Sequence, residues 1–460
     1  MVRIGSSRLA GLLLCATTWS AQAAATLPQL LLQKGLISEA EYRALPAGAA
    51  PAEAALAQLL LKKGLLTPDE VAALAPPPAP ELPAPLTVAT DDGFRFKAAD
   101  GSSFNTGVLA QFDYGQIDDD QSDLANGSSV RRFRPYVAGT FLKDWQFRAS
   151  YELAGGGSVI DAYVVYKALE PFTVTIGNVV QPFSFESVAS DKTNLFVERA
   201  LPFAFAINRA PGLAIGSAGA RWSLHAGVFG EPLATPETGD EGYGAAIRAT
   251  VAPVADNGRV LHLGFGLQGR WPSQDNGSTG LGSTLRLRAK PESDVSALRL
   301  VDTGEIGGGV RRTLALNPEF AAVYGPFSLQ AEYLAVQVER ARAADLAFNG
   351  WYVQTSVALT GESRPYRASK GVLDGIKPAS PFAPGGGWGA WELAARLSEL
   401  DLSDAGIRGG RERNATLGVN LYPNAMLRTT FNVVKVLEVE GGPRDGDEPT
   451  IYQLRVQLAY

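Results

Sequence analysis

The sequence has very few of the residues from which metal sites and disulfides are built. It contains two histidines and one cysteine in 460 residues. Because zinc centres draw on several Cys and His ligands, a zinc site of that kind is excluded. The single cysteine, Cys15, lies near the start of the chain, so no disulfide can stabilise the rest of it. We therefore expect no metal and no cofactor, and the stability of this chain must come from its architecture.

Long apolar runs and basic blocks are also missing from most of the chain. After residue 25 no run approaches the ~20 apolar residues that a transmembrane helix requires, which excludes a helical membrane protein. The 41 basic residues are balanced by 47 acidic residues, and no block is basic enough for a nucleic-acid footprint. The sequence therefore predicts no nucleic-acid partner.

Residues 1–25 have the pattern of a secretory signal peptide. Arg3 and Arg8 supply positive charge, Leu9 to Cys15 form a short apolar stretch, and small residues follow. Cleavage fits Ala21-Gln22-Ala23 and Ala23-Ala24-Ala25 equally well. The pattern predicts an exported protein.

A helical repeat follows over residues 26–75. Leu27–Leu45 recurs as Leu56–Leu74, 29 residues later. In each copy a serine or threonine stands three residues before a glutamate, which is the capping box of a helix start. We expect two helix-turn-helix repeats, acting either as a periplasmic spacer or as a module for oligomerisation or envelope contact. Residues 76–90 are rich in proline and predict a semi-rigid linker.

From Phe104 to the last residue the chain alternates between apolar and polar residues. In the final segment, apolar residues occupy every second position from Tyr452 to Tyr460. Such segments run for nine to fifteen residues, whereas strands of soluble sheets average about five or six. Ten-residue alternating segments with aromatic ends are typical of transmembrane β-strands. The pattern predicts a transmembrane β-barrel over residues 91–460, with Tyr460 as the signal for the barrel-assembly machinery.

We predict an all-β fold, a 16-stranded antiparallel transmembrane β-barrel. A further candidate, Leu281–Pro291, would give an odd number of strands and is therefore placed inside a long loop. Sixteen strands leave a water-filled lumen. The predicted strands are 103–114, 130–142, 145–153, 158–168, 171–179, 212–218, 220–230, 241–252, 259–270, 310–323, 326–340, 348–362, 387–401, 410–422, 427–440 and 450–460.

Alternation also predicts which charged residues face the lumen. A charge at the lipid-facing midplane costs ~2–4 kcal/mol, so the strand charges must point inward. Four acids share that face, Glu152, Asp161, Glu332 and Glu392. The surplus of positive charge would attract anions. The inward arginines are Arg132, Arg134, Arg148, Arg248, Arg270, Arg396, Arg428 and Arg455.

Two long loops add further cations. Residues 180–211 hold Lys192, Arg199 and Arg209. Residues 271–309 hold Arg286, Arg288, Lys290 and Arg299. Arg286, Arg288 and Lys290 alternate, so they share one side. They form a ladder if the segment folds into the lumen and a solvated hairpin if it lies outside.

Several motifs, in this order along the chain, resemble the phosphate- and polyphosphate-selective porins, the porin O and P family. The resemblance extends over residues 94–460 and implies a trimer of outer-membrane channels, each with its own pore. The motifs are Ala110-Gln111-Phe112-Asp113-Tyr114-Gly115, Val130-Arg131-Arg132, Gly139-Thr140-Phe141-Leu142-Lys143-Asp144-Trp145, Asp161-Ala162-Tyr163, Pro182-Phe183, Leu359-Thr360-Gly361-Glu362 and Trp388-Gly389-Ala390-Trp391-Glu392-Leu393.

The resemblance also implies roles for individual residues. Arg131, Arg132 and Lys192 would lie near a central anion site with Asp161 beside it, and Arg286 and Arg288 would join an extracellular arginine ladder. Strand alternation agrees for Arg132 but places Arg131 outward at the upper rim. Where phosphate-specific members carry an arginine and a lysine, this chain has Leu109 and Gln146.

The sequence thus predicts a passive, anion-preferring porin of the Gram-negative outer membrane. Its expected partners are outer-membrane lipids, inorganic anions such as phosphate, and two further copies in a homotrimer. The alternative is a structural barrel that tethers the envelope with little conductance. Catalysis is not expected, because no Gly-x-Ser-x-Gly motif accompanies His225 or His262. The candidate anion-binding and pore-lining residues are Arg131, Arg132, Arg134, Arg148, Asp161, Lys192, Arg199, Arg248, Arg270, Arg286 and Arg288.

Overall fold

The structure is a computed structural model that describes residues 27–46, 49–73, 87–89, 93–233, 240–256, 258–273 and 283–460. Two compact units divide the chain, residues 1–84 and 85–460. The predicted signal peptide and most of the predicted proline-rich linker lie outside the described residues.

The first unit contains four helices, α1 (Leu27–Gln33), α2 (Glu39–Arg43), α3 (Ala49–Lys62) and α4 (Pro68–Ala73). Ser38 and Glu41 close a capping box at the start of α2, with the Ser38 amide 2.7 Å from Glu41 Oε2. Thr67 and Glu70 make the equivalent contacts before α4. The repeated capping pattern in the sequence therefore encodes two helix-turn-helix repeats. Among the described residues, no helix is both long and apolar enough to cross a membrane.

The second unit is a closed barrel of sixteen antiparallel strands, as the alternation predicts. Strand β16 pairs with β1 from Thr450↔Asp118 to Ala459↔Leu109, which closes the barrel, and a short hairpin of Thr87–Ala89 and Phe94–Lys97 pairs with the start of β1. In a closed barrel each wall strand pairs with a strand on both sides. This pairing is required in lipid, where no water is present to bond the backbone N–H and C=O groups. The strands are β1 (Ser103–Asp118), β2 (Gly127–Phe141), β3 (Trp145–Glu152), β4 (Ser158–Tyr166), β5 (Phe172–Val180), β6 (Arg209–Ala218), β7 (Trp222–Phe229), β8 (Tyr243–Asp256), β9 (Arg259–Trp271), β10 (Val310–Tyr324), β11 (Phe327–Arg340), β12 (Leu346–Ala358), β13 (Ala390–Asp404), β14 (Ile407–Tyr422), β15 (Leu427–Glu440) and β16 (Thr450–Ala459).

The two faces of the wall follow the period of two. In β16 the apolar residues from Tyr452 to Leu458 are 36–45% exposed, whereas Gln453, Arg455 and Gln457 between them are 2–5% exposed. Aromatic rings pack together at strand ends, with the centroids of Tyr243 and Trp271 separated by 5.2 Å. An apolar outer band with aromatic ends and a polar interior is the construction of an outer-membrane barrel.

Three long segments connect the strands, and described residues of each enter the barrel. Segments 181–208 and 272–309 leave from the end with the longer loops, which we call the extracellular end. Segment 359–389 enters from the opposite, periplasmic end, where β1 begins and β16 ends.

The candidate seventeenth strand lies in segment 272–309, as predicted. Its residues Arg288–Ala289 pair only with Val301–Asp302, in a small sheet apart from the wall. Leu287 and Ala289 are buried in a cluster that includes wall residues such as Val338 and Leu400. The segment therefore folds into the mouth of the barrel, with Arg286 and Arg288 exposed on its other side.

Candidate anion pathway

A cavity of about 570 Å³ lies inside the barrel, between the wall and segments 181–208 and 359–389. Its lining carries three acids, Asp161, Asp191 and Asp374. The cationic lining is larger and comprises Arg134, Arg148, Lys192, Arg209, Arg248, Arg367 and Lys370. The space is therefore bordered by seven cations and three acids, although the whole chain has a net charge of −6.

Segment 181–208 is attached to the wall through backbone amides. It opens with α5 (Phe185–Val188), whose first two amides donate to the carboxylate of Glu332 at 2.6 and 3.1 Å. Ser184 caps the same turn by accepting from the Ser187 amide. A carboxylate at a helix start meets amides that lack partners within the helix. The inward Glu332 on β11 thus fixes where this constricting segment begins.

Asp191 gathers three arginines beside the cavity. Its carboxylate lies 2.8 Å from Arg134 Nη1, 2.7 Å from Arg199 Nη2 and 3.4 Å from Arg132 Nε. Burial alone would raise the pKa of Asp191, but these guanidinium groups hold its pKa well below the ordinary value. Asp191 is therefore ionised, and the wall arginines hold the segment in place through it.

Glu198 forms a second junction on the same segment and determines the position of Arg131. Arg131 Nε and Arg455 Nη2 each lie 2.8 Å from Glu198 Oε1. The outward position that strict alternation gave Arg131 is wrong. A bulge in the pairing of β1 with β2, between Gln111↔Arg132 and Phe112↔Val130, changes the phase at this residue. Because a bulge adds an unpaired residue, it can turn one side chain to the other face.

Asp161 lies on the other side of the cavity between two arginines. Arg148 Nε and Arg209 Nε each lie 3.1 Å from its carboxylate, and Ser150 Oγ donates to it at 2.8 Å. Arg148 also covers the ring of Tyr136. Alternation predicts Arg148 and Asp161 here. The sequence places Arg209 among the cations of residues 180–211, and the structure places it at the start of β6, beside Asp161.

Segment 359–389 supplies two cavity cations that the sequence pattern does not reveal, Arg367 and Lys370. Arg364 forms a two-pronged ion pair with Glu392, both bonds 2.8 Å long, which anchors the segment to β13. Arg248 donates to the carbonyls of Lys370 and Gly371 at 2.6 and 2.7 Å. These contacts hold Lys370 in the cavity, with its side chain exposed to the lumen.

The comparison with known proteins agrees with this geometry. The family model described as "Phosphate-selective porin O and P" matches residues 104–460. The chain belongs to that family. An uncharacterised protein of Caulobacter vibrioides is 30% identical over 390 residues, covering 81% of this chain and 76% of that protein. Porin O of Pseudomonas aeruginosa is 28% identical over 408 residues, covering 79% and 91%. A loop-deleted OmpT of Vibrio cholerae, described as an outer-membrane protein, shares the fold at a TM-score of 0.50 and 10% identity, covering 77% of this chain and 99% of that structure.

This porin is therefore an outer-membrane channel protein, and its wall is more nearly neutral than the sequence predicts. The predicted set of eight inward arginines and four acids is incomplete, because the inner face also carries the acids Asp113, Glu319 and Glu412 and the arginines Arg131 and Arg209. Arg248 pairs with Glu319 at 2.6 Å, and Arg455 pairs with Asp113 at 2.6 Å. Most of the wall arginines therefore serve as partners for buried carboxylates.

The remaining candidate residues of the porin lie nearer the mouth. Arg270 pairs with Glu231 and donates to the Gly230 carbonyl. Arg286 pairs with Asp302 at 2.6 Å, on the exposed side of the folded loop. Leu109 lines the cavity itself.

Proposed function

We propose that this porin is a passive, anion-preferring diffusion channel whose selective region is the cavity between segments 181–208 and 359–389. The observation that carries the proposal is the lining of that cavity, with seven cations against three acids. Of the cations, Lys192, Arg367 and Lys370 are exposed within the lumen. A positive field in a narrow channel with low-dielectric walls raises the local concentration of anions.

Inorganic phosphate and its polymers are the anions for which this lining is best suited. Arg148 and Arg209 offer planar donor groups, which bind tetrahedral oxyanions through paired hydrogen bonds. Lys370 and Lys192 add compact charges on flexible stems. The apolar Leu109 removes one cation from the same lining, so we propose moderate preference for phosphate over other anions.

The working unit proposed here is a homotrimer with one pore in each protomer. Residues 1–25 would direct export and be removed, residues 26–75 and 76–90 would precede the pore as repeats and linker, and residues 91–460 would form it. Outer-membrane lipids would cover the apolar band, and the barrel-assembly machinery would recognise the end of β16.

Block of chloride current by phosphate in planar bilayers tests this function. Lys370→Gln removes an exposed cavity charge without deleting a buried partner. We expect phosphate to block this variant about three- to tenfold more weakly, since tenfold corresponds to ~1.4 kcal/mol. Lys97→Gln removes a lysine from the exposed strand Phe94–Lys97 and should leave the block unchanged.

Equal block of wild type and Lys370→Gln would contradict the placement of the selective region. Absence of any conductance in correctly folded wild-type protein would favour the structural, envelope-tethering barrel instead.

A further inference from the structure

The two helical repeats of the first unit contact each other through non-equivalent residues, a lysine of the second repeat and a glutamate of the first. Lys63, from the second repeat, places its Nζ 2.7 Å from Glu41 Oε2 and 3.1 Å from the Leu36 carbonyl of the first repeat. The hydrogen bond from Lys63 lowers the pKa of Glu41 to about 2, so the pair is charged at neutral pH. The second repeat thus presents its lysine to the glutamate of the first.

One apolar side chain of each repeat is also buried. Ile37 in the first repeat and Leu56 in the second are each 2% exposed. A fully buried side chain touches about six to twelve other residues. A single pair of short helices offers too few, so we attribute this burial to the meeting of the two repeats.

The equivalent positions on the outer faces lack such cover. The 29-residue offset relates Leu56 to Leu27 and Ile37 to Leu66. Leu27 is 56% exposed where Leu56 is 2% exposed, and Leu66 is only half-buried. The first repeat therefore carries an exposed equivalent of Leu56, and the second repeat carries an incompletely buried equivalent of Ile37.

The charges on these two faces are complementary and unpaired. Lys34 corresponds to Lys63, and Glu70 corresponds to Glu41. Within the described part of the chain neither Lys34 nor Glu70 forms an ion pair. Hydrogen bonds from Thr67 lower the pKa of Glu70, so its carboxylate is ionised.

We propose that the repeats join chains head to tail, with Lys34 and Leu27 of one copy docking on Glu70 and Leu66 of a second copy. The proposed contact between chains uses the same lysine–glutamate pair and the same apolar positions as the contact between the two repeats of one chain. The partner that fits this surface is therefore another copy of the same unit. Such a heterologous interface forms a ring when its rotation closes. In the homotrimer proposed above, three of these contacts form one ring, independently of what the pores conduct.

Disulfide formation between chains tests the contact directly. Two full-length variants, both with Cys15→Ser, carry either Lys34→Cys or Glu70→Cys and are expressed together. After mild oxidation of outer membranes, we expect a covalent dimer of denatured chains only when both variants are present. A chain carrying both cysteines should give linked products that stop at three chains.

The matched control pairs Glu70→Cys with Arg43→Cys. The Arg43 side chain is 76% exposed and lies in the first repeat but outside the proposed contact. A cysteine at this position is therefore accessible to oxidation but does not face Glu70→Cys of a second copy. Equal dimer yields from the control pair and the Lys34 pair would overturn the proposal.

Charge reversal separates the proposed contact from simple misfolding. Lys34→Glu should lower the temperature at which the oligomer dissociates in detergent, and adding Glu70→Lys to the same chain should restore it. Heat-modifiable mobility of the monomer reports that the barrel is intact in each variant. A reversal that has no effect, or one that the second change does not rescue, would contradict the proposal, whereas loss of anion preference alone would concern only the proposed function.

Discussion

At the scale of the residue, the cations inside the barrel fall into two groups. Arg132, Arg248 and Arg455 are 1–5% exposed and bonded to carboxylates. Lys370 and Arg367, which pairs with Asp374, are exposed within the cavity. Removing one partner of a buried pair costs about 3–5 kcal/mol, because the other charge is left without compensation. Buried cations therefore hold the constricting segments, and exposed cations meet the permeating ion.

Arg132→Ala tests the first group. We expect a loss of about 3–5 kcal/mol in stability, since Gln111 and Asp191 lose a buried partner. We also expect weaker anion preference, because Asp191 would be less compensated beside the cavity. The midpoint of thermal unfolding on gels and the reversal potential measure the two effects. Arg95→Ala makes the same truncation at an exposed residue and should change neither. Wild-type values for Arg132→Ala would show that Arg132 contributes neither to stability nor to anion preference.

The sequence predicts these residues only where the backbone is regular. Alternation places Arg132, Arg134 and Arg148 correctly because β2 and β3 keep their period there. It fails at Arg131, since one bulge in β2 changes the phase. It does not find Lys370, which lies in a segment without any period.

At the scale of the element, strands are predictable and the segments inside the barrel are not. All sixteen strands could be predicted, because lipid on one face and water on the other impose a period of two over about ten residues. Strand ends are less certain, as β12 shows by ending at Ala358 rather than at residue 362. The path of segment 359–389 depends on single contacts such as Arg364 with Glu392, which leave no repeating pattern.

The last strand carries a prediction of its own. Tyr460 exchanges backbone hydrogen bonds with Val108 and packs edge-on against Phe94, with ring centroids 5.4 Å apart. Deleting Tyr460 should reduce the folded protein in the outer membrane and leave unfolded chain in the periplasm. The lost backbone pairing weakens closure, since unpaired groups in lipid cost several kcal/mol each. Fractionation and heat-modifiable mobility measure the effect.

Tyr460→Phe is the matched control, because it keeps the ring and the backbone and should assemble normally. Assembly of the deletion variant at the wild-type level would show that closure and recognition do not depend on this terminus.

At the scale of the whole molecule, the charge of the cavity lining is opposite in sign to the net charge of the chain. The chain has a net charge of −6, yet the cavity lining carries four more cations than acids. Net charge influences solubility and association, whereas selectivity depends on charges at the narrow part of a channel. Alternation along the chain therefore predicts the class of the fold, whereas only the folded segment 359–389 brings Arg367 and Lys370 to the cavity.

The reversal potential of the wild-type porin measures its preference for anions over cations. Full-length protein is placed in a planar bilayer with a tenfold potassium chloride gradient, and the voltage at zero current is measured. We expect a potential near the chloride equilibrium value, of the sign that anion permeation gives. A potential near zero, or one of the opposite sign, would contradict an anion-preferring channel.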